Sequence, residues 1–68
     1  ETLTGKITKI AQGVVDGNSH YYLMIEGSED IFDVPVMEYI QIIKYEVGQE
    51  ITVEYKKGEE TNTVTNIK

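Results

Sequence analysis

Five short segments that alternate apolar and polar residues, as β-strands do, fill most of this chain. They cover Leu3–Ala11, Ser19–Gly27, Asp30–Val34, Glu50–Lys56 and Thr61–Ile67. Glycine-containing turns separate most of them, and one stretch, Val36–Tyr45, interrupts the series between the third and fourth segments. Three strands, an insert and two further strands within 68 residues predict a small closed barrel that forms one domain, residues 1–68.

The alternation also predicts which side chains point into the barrel. The expected inward residues are Tyr21, Leu23, Ile25, Phe32, Val34, Ile51, Val53 and Tyr55. Ile7 and Ile10 in the first segment, and Val64 and Ile67 in the last, are three residues apart. A β-bulge near Thr8–Lys9 would return Ile10 to the core side of the first strand, and a bulge or a strand bend would do the same for the last strand.

The insert has features of both a helix and a strand. Pro35 suits the first position of a helix, and apolar residues at positions 36, 39, 40 and 43 follow helical spacing. Three isoleucines and two tyrosines within ten residues favour a strand instead. We expect a short apolar helix between the third and fourth strands that closes one end of the barrel, which makes the fold all-β with one short helix.

The charge balance limits the classes of partner. Twelve acidic residues against six lysines give a net charge of −6, and there is no arginine. An acidic chain without arginine is a poor match for a phosphate backbone or an anionic membrane surface. No apolar run approaches the length that spans a bilayer, so no membrane insertion is expected within this segment. Without cysteine there is no disulfide and no cysteine metal site, and the compartment stays open.

Strand-like segments reach almost to both ends of the chain, which begins with Glu1 rather than methionine. This favours a domain that belongs to a longer protein.

The layout resembles that of the OB-fold superfamily. The residues that carry the resemblance are Gly5–Ile10, His20–Glu26, Val47–Val53 and Val64–Ile67. Such a domain is a five-stranded Greek-key barrel with a helix between strands three and four. An SH3-like barrel is the alternative, in which Val36–Tyr45 would be a loop or a strand.

The resemblance implies a ligand face on strands two and three, bordered by the loops after strands one and four. In this sequence the face would present His20, Tyr22, Met24, Ile31 and Asp33, and the loops would be Gly13–Ser19 and Lys57–Glu60. Lys6 on the first strand is a further candidate contact. The simpler interpretation is that His20 is a solvated polar residue and that Tyr22 and Met24 pack against strand one.

The sequence contains no recognisable catalytic motif, and its single histidine has no second histidine or cysteine with which to bind a transition metal. The acidic residues at positions 16, 29, 30 and 33 do not have the spacing of a calcium loop and indicate solvated turns. We therefore expect neither an enzyme nor a cofactor.

Three functions remain open. The leading hypothesis is a binding module that contacts a protein, peptide or glycan, with a protein or peptide favoured. The second is a weak binder of single-stranded nucleic acid that uses Tyr22, Phe32 and the lysines. The third is a purely structural spacer.

Overall fold

The computed structural model describes the whole chain, Glu1–Lys68, as five strands and one short 3-10 helix. The strands are β1 (Thr2–Val15), β2 (Asn18–Ile25), β3 (Ile31–Pro35), β4 (Glu50–Lys56) and β5 (Asn62–Ile67), and the helix is Ile40–Lys44, between β3 and β4. The structure contains no helix with the length and apolar character needed to cross a bilayer. The all-β fold with one short helical segment is confirmed.

The strands form a closed barrel in the order β1-β2-β3-β5-β4. β1 closes it, because residues 2–6 pair with β4 and residues 7–15 pair with β2. All neighbours are antiparallel except β3 and β5, whose parallel pairing is short. This is the general layout of an OB-like barrel, and the SH3-like alternative predicted no helix at this position.

The expected bulge in β1 is present, and the irregularity expected in β5 is a bulge as well. In β1 the pairing with β2 shifts between Ile7 and Lys9, which makes Thr8 the extra residue. In β5, Thr65 has no partner on β4, because Val64 and Asn66 pair with the consecutive residues Tyr55 and Glu54. Each bulge absorbs one residue, and this is how side chains three apart, such as Val64 and Ile67, both reach the core.

Ten apolar side chains from all five strands and the helix form the core: Ile7, Leu23, Ile25, Phe32, Val34, Ile42, Ile51, Val53, Val64 and Ile67. Phe32 meets Tyr55 edge to face, with ring centroids 5.0 Å apart. Most of the predicted inward residues are therefore buried, although Tyr21 and Tyr55 are only half-buried. Gly5 lies so close to β2 that a Cβ there would be 2.5 Å from the carbonyl oxygen of Glu26.

The insert corrects part of the prediction. Ile42 is the residue that plugs the barrel end, whereas Ile40 and Ile43 are 65% and 54% exposed. Pro35 ends β3 instead of beginning a helix, and the helical turn covers only five residues. The 3-10 geometry, with three residues per turn, turns a different side chain inward than α-helical spacing would.

The predicted loop Gly13–Ser19 is also corrected. β1 continues to Val15 and β2 begins at Asn18, so only Asp16 and Gly17 form the turn. Both have positive φ, 51° and 79°, as a type I′ turn requires. Because the twist of this turn matches that of the strands, β1 and β2 stay paired up to Val15 and Asn18. We call this two-stranded hairpin, residues 12–21, the β1–β2 arm.

Candidate binding face on strands β2 and β3

Alternation along β2 and β3 collects five of the six predicted site residues on one outward surface. Tyr22 pairs with Asp33, and Met24 pairs with Ile31. His20 lies two residues before Tyr22 on the same side of β2. We call the surface formed by His20, Tyr22, Met24, Ile31 and Asp33 the aromatic face.

The polar centre of the aromatic face is a contact between two strands. Nδ1 of His20 lies 2.7 Å from Oδ1 of Asp33, and both side chains are largely covered, at 19% and 21% exposed. A carboxylate only accepts, so Nδ1 is the donor. The rings of His20 and Tyr22 are nearly parallel, with centroids 6.2 Å apart and planes 14° apart. The carboxylate and the tyrosine together restrain the imidazole ring.

A glycine on β1 leaves room for the tyrosine ring. Gly13 is opposite His20 in the β1–β2 ladder, and Ala11 is opposite Tyr22. A Cβ on Gly13 would lie 2.9 Å from Cε2 of Tyr22. The ring of Tyr22 therefore leans along the sheet over Gly13, where it is half-buried with one side left to solvent.

Lys6 lies beside the end of β2, where its carbonyl accepts a hydrogen bond from the backbone N–H of Glu26, and is not opposite a residue of the aromatic face. It pairs with Glu50 on β4, on the other side of the β1 bulge, and Lys9 is the lysine beside Met24. The bulge predicted from the sequence explains this difference. One extra residue at Thr8 changes which β1 side chains point outward, so that Lys9 points outward opposite Met24. Lys56 lies on β4, two strands beyond Asp33 around the closed barrel.

A buried asparagine, which strand alternation does not predict, lies at one end of the aromatic face. Asn62 is 2% exposed. Its Oδ1 accepts a hydrogen bond from the backbone N–H of Gly58 at 3.3 Å, and its Nδ2 donates to Oδ2 of Asp30 at 2.9 Å. These bonds tie the β4–β5 loop to the turn before β3. Loop residues Glu59 and Glu60 are exposed, which keeps this end acidic.

At the other end, the inner side of the β1–β2 arm borders an open depression of about 400 Å³. It is lined by Gln12, Gly13, Val14, Ser19, His20, Tyr21 and Val36. The hydroxyl of Tyr21 accepts a hydrogen bond from Nε2 of Gln12 at 3.1 Å. His20 lines this depression as well as belonging to the aromatic face.

The polar surroundings of His20 consist of a single side-chain partner. Asp33 is the only side chain with which His20 makes a hydrogen bond, so no hydroxyl is positioned as a nucleophile on the ring. No group of three or more His, Cys, Asp or Glu residues lies close enough to hold a metal ion. The surface offers a restrained aromatic pair, a carboxylate and one neighbouring lysine, Lys9.

Comparisons with protein-family models, with curated proteins and with solved structures gave no match.

Proposed function

We propose that this domain is a non-catalytic binding module that contacts a protein or peptide partner through the aromatic face. The observation that carries the proposal is the arrangement of His20, Tyr22 and Asp33. The two rings are stacked and the imidazole is bonded to a carboxylate from the next strand. A glycan is the other ligand class that an aromatic ring beside a carboxylate suits.

The energetics of recognition support this assignment. Immobilising a flexible side chain on binding costs about 0.5–1.5 kcal/mol of conformational free energy. The cost is smaller when the side chain is already restrained in the free protein. Tyr22 and His20 are already packed against each other and against the sheet. Tyrosine also combines an apolar ring with a polar hydroxyl, which is why it is enriched at interfaces.

We also propose membership of the OB-fold superfamily. Support comes from the strand order, from the parallel pairing of β3 with β5, and from the helical turn between β3 and β4. The aromatic face then coincides with the surface that such barrels use for ligands.

The double variant Tyr22→Ala with Met24→Ala tests the binding role. NMR spectra of labelled protein, recorded with peptide and glycan libraries, should show shift changes on β2 and β3 that the double variant loses. Ile40→Ala with Ile43→Ala is the matched control, because it removes exposed apolar surface from the helix instead. Equal binding by both double variants would reject the aromatic face as the contact site, and no shift change with any library would favour the spacer role.

A second candidate, single-stranded nucleic acid, is favoured by one observation. Lys9 is opposite Met24 on β1, beside Tyr22 and on the same outward surface. Stacking on an aromatic ring in a basic groove is how single strands are held. An oligonucleotide titration at low salt should then shift β2 and β3 resonances, with an effect that fades as salt rises. No change at millimolar oligonucleotide would eliminate this candidate.

A further inference from the structure

The barrel leaves part of one strand edge unpaired. β4 covers β1 only over residues 2–6, and the backbone of Ile7 then bonds to residues 48 and 49. Beyond that point, residues 9–15 of β1 pair with β2 alone. None of the backbone hydrogen bonds outside the strand ladders involves residues 8–15. We call residues 8–15 the open edge.

The hydrogen-bond pattern identifies which backbone groups the open edge presents. The carbonyl of Ser19 accepts from the N–H of Val36, so it points away from β1. Since groups alternate along a strand, the neighbours of Ser19 on β2 are the residues that bond to β1. Their partners are Val15 and Gly13. The N–H and C=O groups of the intervening β1 residues, Ile10, Gln12 and Val14, therefore face solvent.

Beyond the bulge at Thr8 and the charge of Lys9, this edge lacks the features that usually prevent strand pairing. Natural sheet edges carry charges, prolines or covering loops. The run from Ile10 to Val15 contains no charged residue and no proline, in a chain with eighteen charged residues. Its apolar side chains are unusually open, with Val14 71% and Val15 46% exposed.

We infer that the open edge pairs with the same edge of a second copy, antiparallel and about a two-fold axis at Gln12. In this register Ile10 lies opposite Val14 of the second copy, and Lys9 lies opposite Val15 of the second copy. Asp16, at the tip of the arm, then lies opposite Thr8 of the second copy, one residue along the strand from Lys9. The edge is charge-complementary to itself, and the two-fold axis forms each opposite-charge contact twice. For this reason we choose a second copy rather than an unrelated extended peptide.

Pairing predicts a specific hydrogen-exchange pattern. Amides of Ala11, Gly13 and Val15 bond to β2 and should exchange slowly at every protein concentration. Amides of Ile10, Gln12 and Val14 should exchange quickly in dilute protein and slowly in concentrated protein. Sedimentation equilibrium over the same range should show monomer converting to dimer.

Val14→Pro tests the edge directly. Proline removes an N–H that the barrel itself does not use, and prolines are tolerated at strand edges. Because the symmetric interface loses the bond twice, the dissociation constant should rise at least about tenfold. Val14→Ala is the matched control, since it shortens the side chain but keeps the N–H. A dispersed NMR spectrum of each variant checks that the barrel is folded.

Lys9→Glu tests the charge contact, because it puts a carboxylate beside Asp16 of the second copy at both ends of the interface. The dimer should weaken, and added salt should reduce the difference from the wild type. The inference is overturned if the wild-type chain stays monomeric up to millimolar concentration. It is equally overturned if a dimer forms that Val14→Pro leaves unchanged, or if only an added extended peptide protects the edge amides.

Discussion

Replacing Leu23 with aspartate should unfold the barrel, whereas the same replacement at the next residue, Met24, should leave it folded. The two positions are adjacent on β2 and differ in the side of the sheet they occupy. Leu23 is completely buried in the core, and Met24 is half-buried on the aromatic face. The pair therefore tests the register of β2.

The expected magnitudes follow from burial. A domain of 68 residues has a free energy of unfolding of roughly 3–10 kcal/mol. Leu23→Asp removes about 2–3 kcal/mol of apolar burial and adds several kcal/mol for a carboxylate without a partner in the core. The sum is comparable to the whole stability. Met24→Asp keeps its carboxylate in contact with water and should cost only about 1 kcal/mol, mostly through poor strand propensity.

Circular dichroism and the dispersion of a proton–nitrogen NMR spectrum distinguish these outcomes. Leu23→Asp should give a collapsed spectrum with no cooperative melting, and Met24→Asp a dispersed spectrum with a slightly lower melting temperature. A dispersed spectrum for Leu23→Asp, together with an unfolded Met24→Asp, would refute the reasoning. A one-residue slip of β2 exchanges its two faces, so that result would mean the register is inverted.

Three further variants test other contacts. Gly5→Ala should lower the free energy of unfolding by about 1–3 kcal/mol in urea denaturation, because its Cβ would press on a backbone carbonyl of the neighbouring strand; an unchanged midpoint would contradict this. Asn62→Ala should cost about 1–3 kcal/mol by the same measurement and speed amide exchange in the β4–β5 loop, since a backbone N–H loses its acceptor; unchanged loop exchange would argue against it. Hydrogen bonds from the Asn66 amide, and then from Lys68, lower the pKa of Glu54 in the folded protein. The stabilisation of the fold by these contacts is therefore present above the pKa that Glu54 has in the unfolded chain, and it is lost as the pH falls through the folded-state pKa. Denaturation midpoints of the wild type and Glu54→Gln should therefore converge in acid, and a constant difference would show that the contacts are not stabilising.

The core and the aromatic face were largely predictable because they follow from local alternation. Leu23 and Phe32 point inward for the same reason that Tyr22 and Asp33 point outward, namely the two-residue period of a strand. The bulge at Thr8 was predictable too, because apolar residues three apart cannot share a face in a regular strand.

Other features depend on partners distant in sequence. The hydrogen bond between His20 and Asp33 requires the register of β2 on β3. Asn62 is buried because its amide reaches Asp30, 32 residues away, and a polar residue at a strand start otherwise indicates exposure. Ile42 fills the end of the barrel, whereas Ile40 and Ile43 are exposed. Which isoleucine points inward depends on how the short helix is oriented on the closed barrel.

The sequence by itself determined an all-β barrel of five strands, most of its core, and which side chains of β2 and β3 point outward. These properties depend on periodicity, which is local. Only the tertiary structure decided the length of the β1–β2 arm and the open edge beyond Ile7. Those properties depend on where β4 stops covering β1, and closure of the barrel fixes that point.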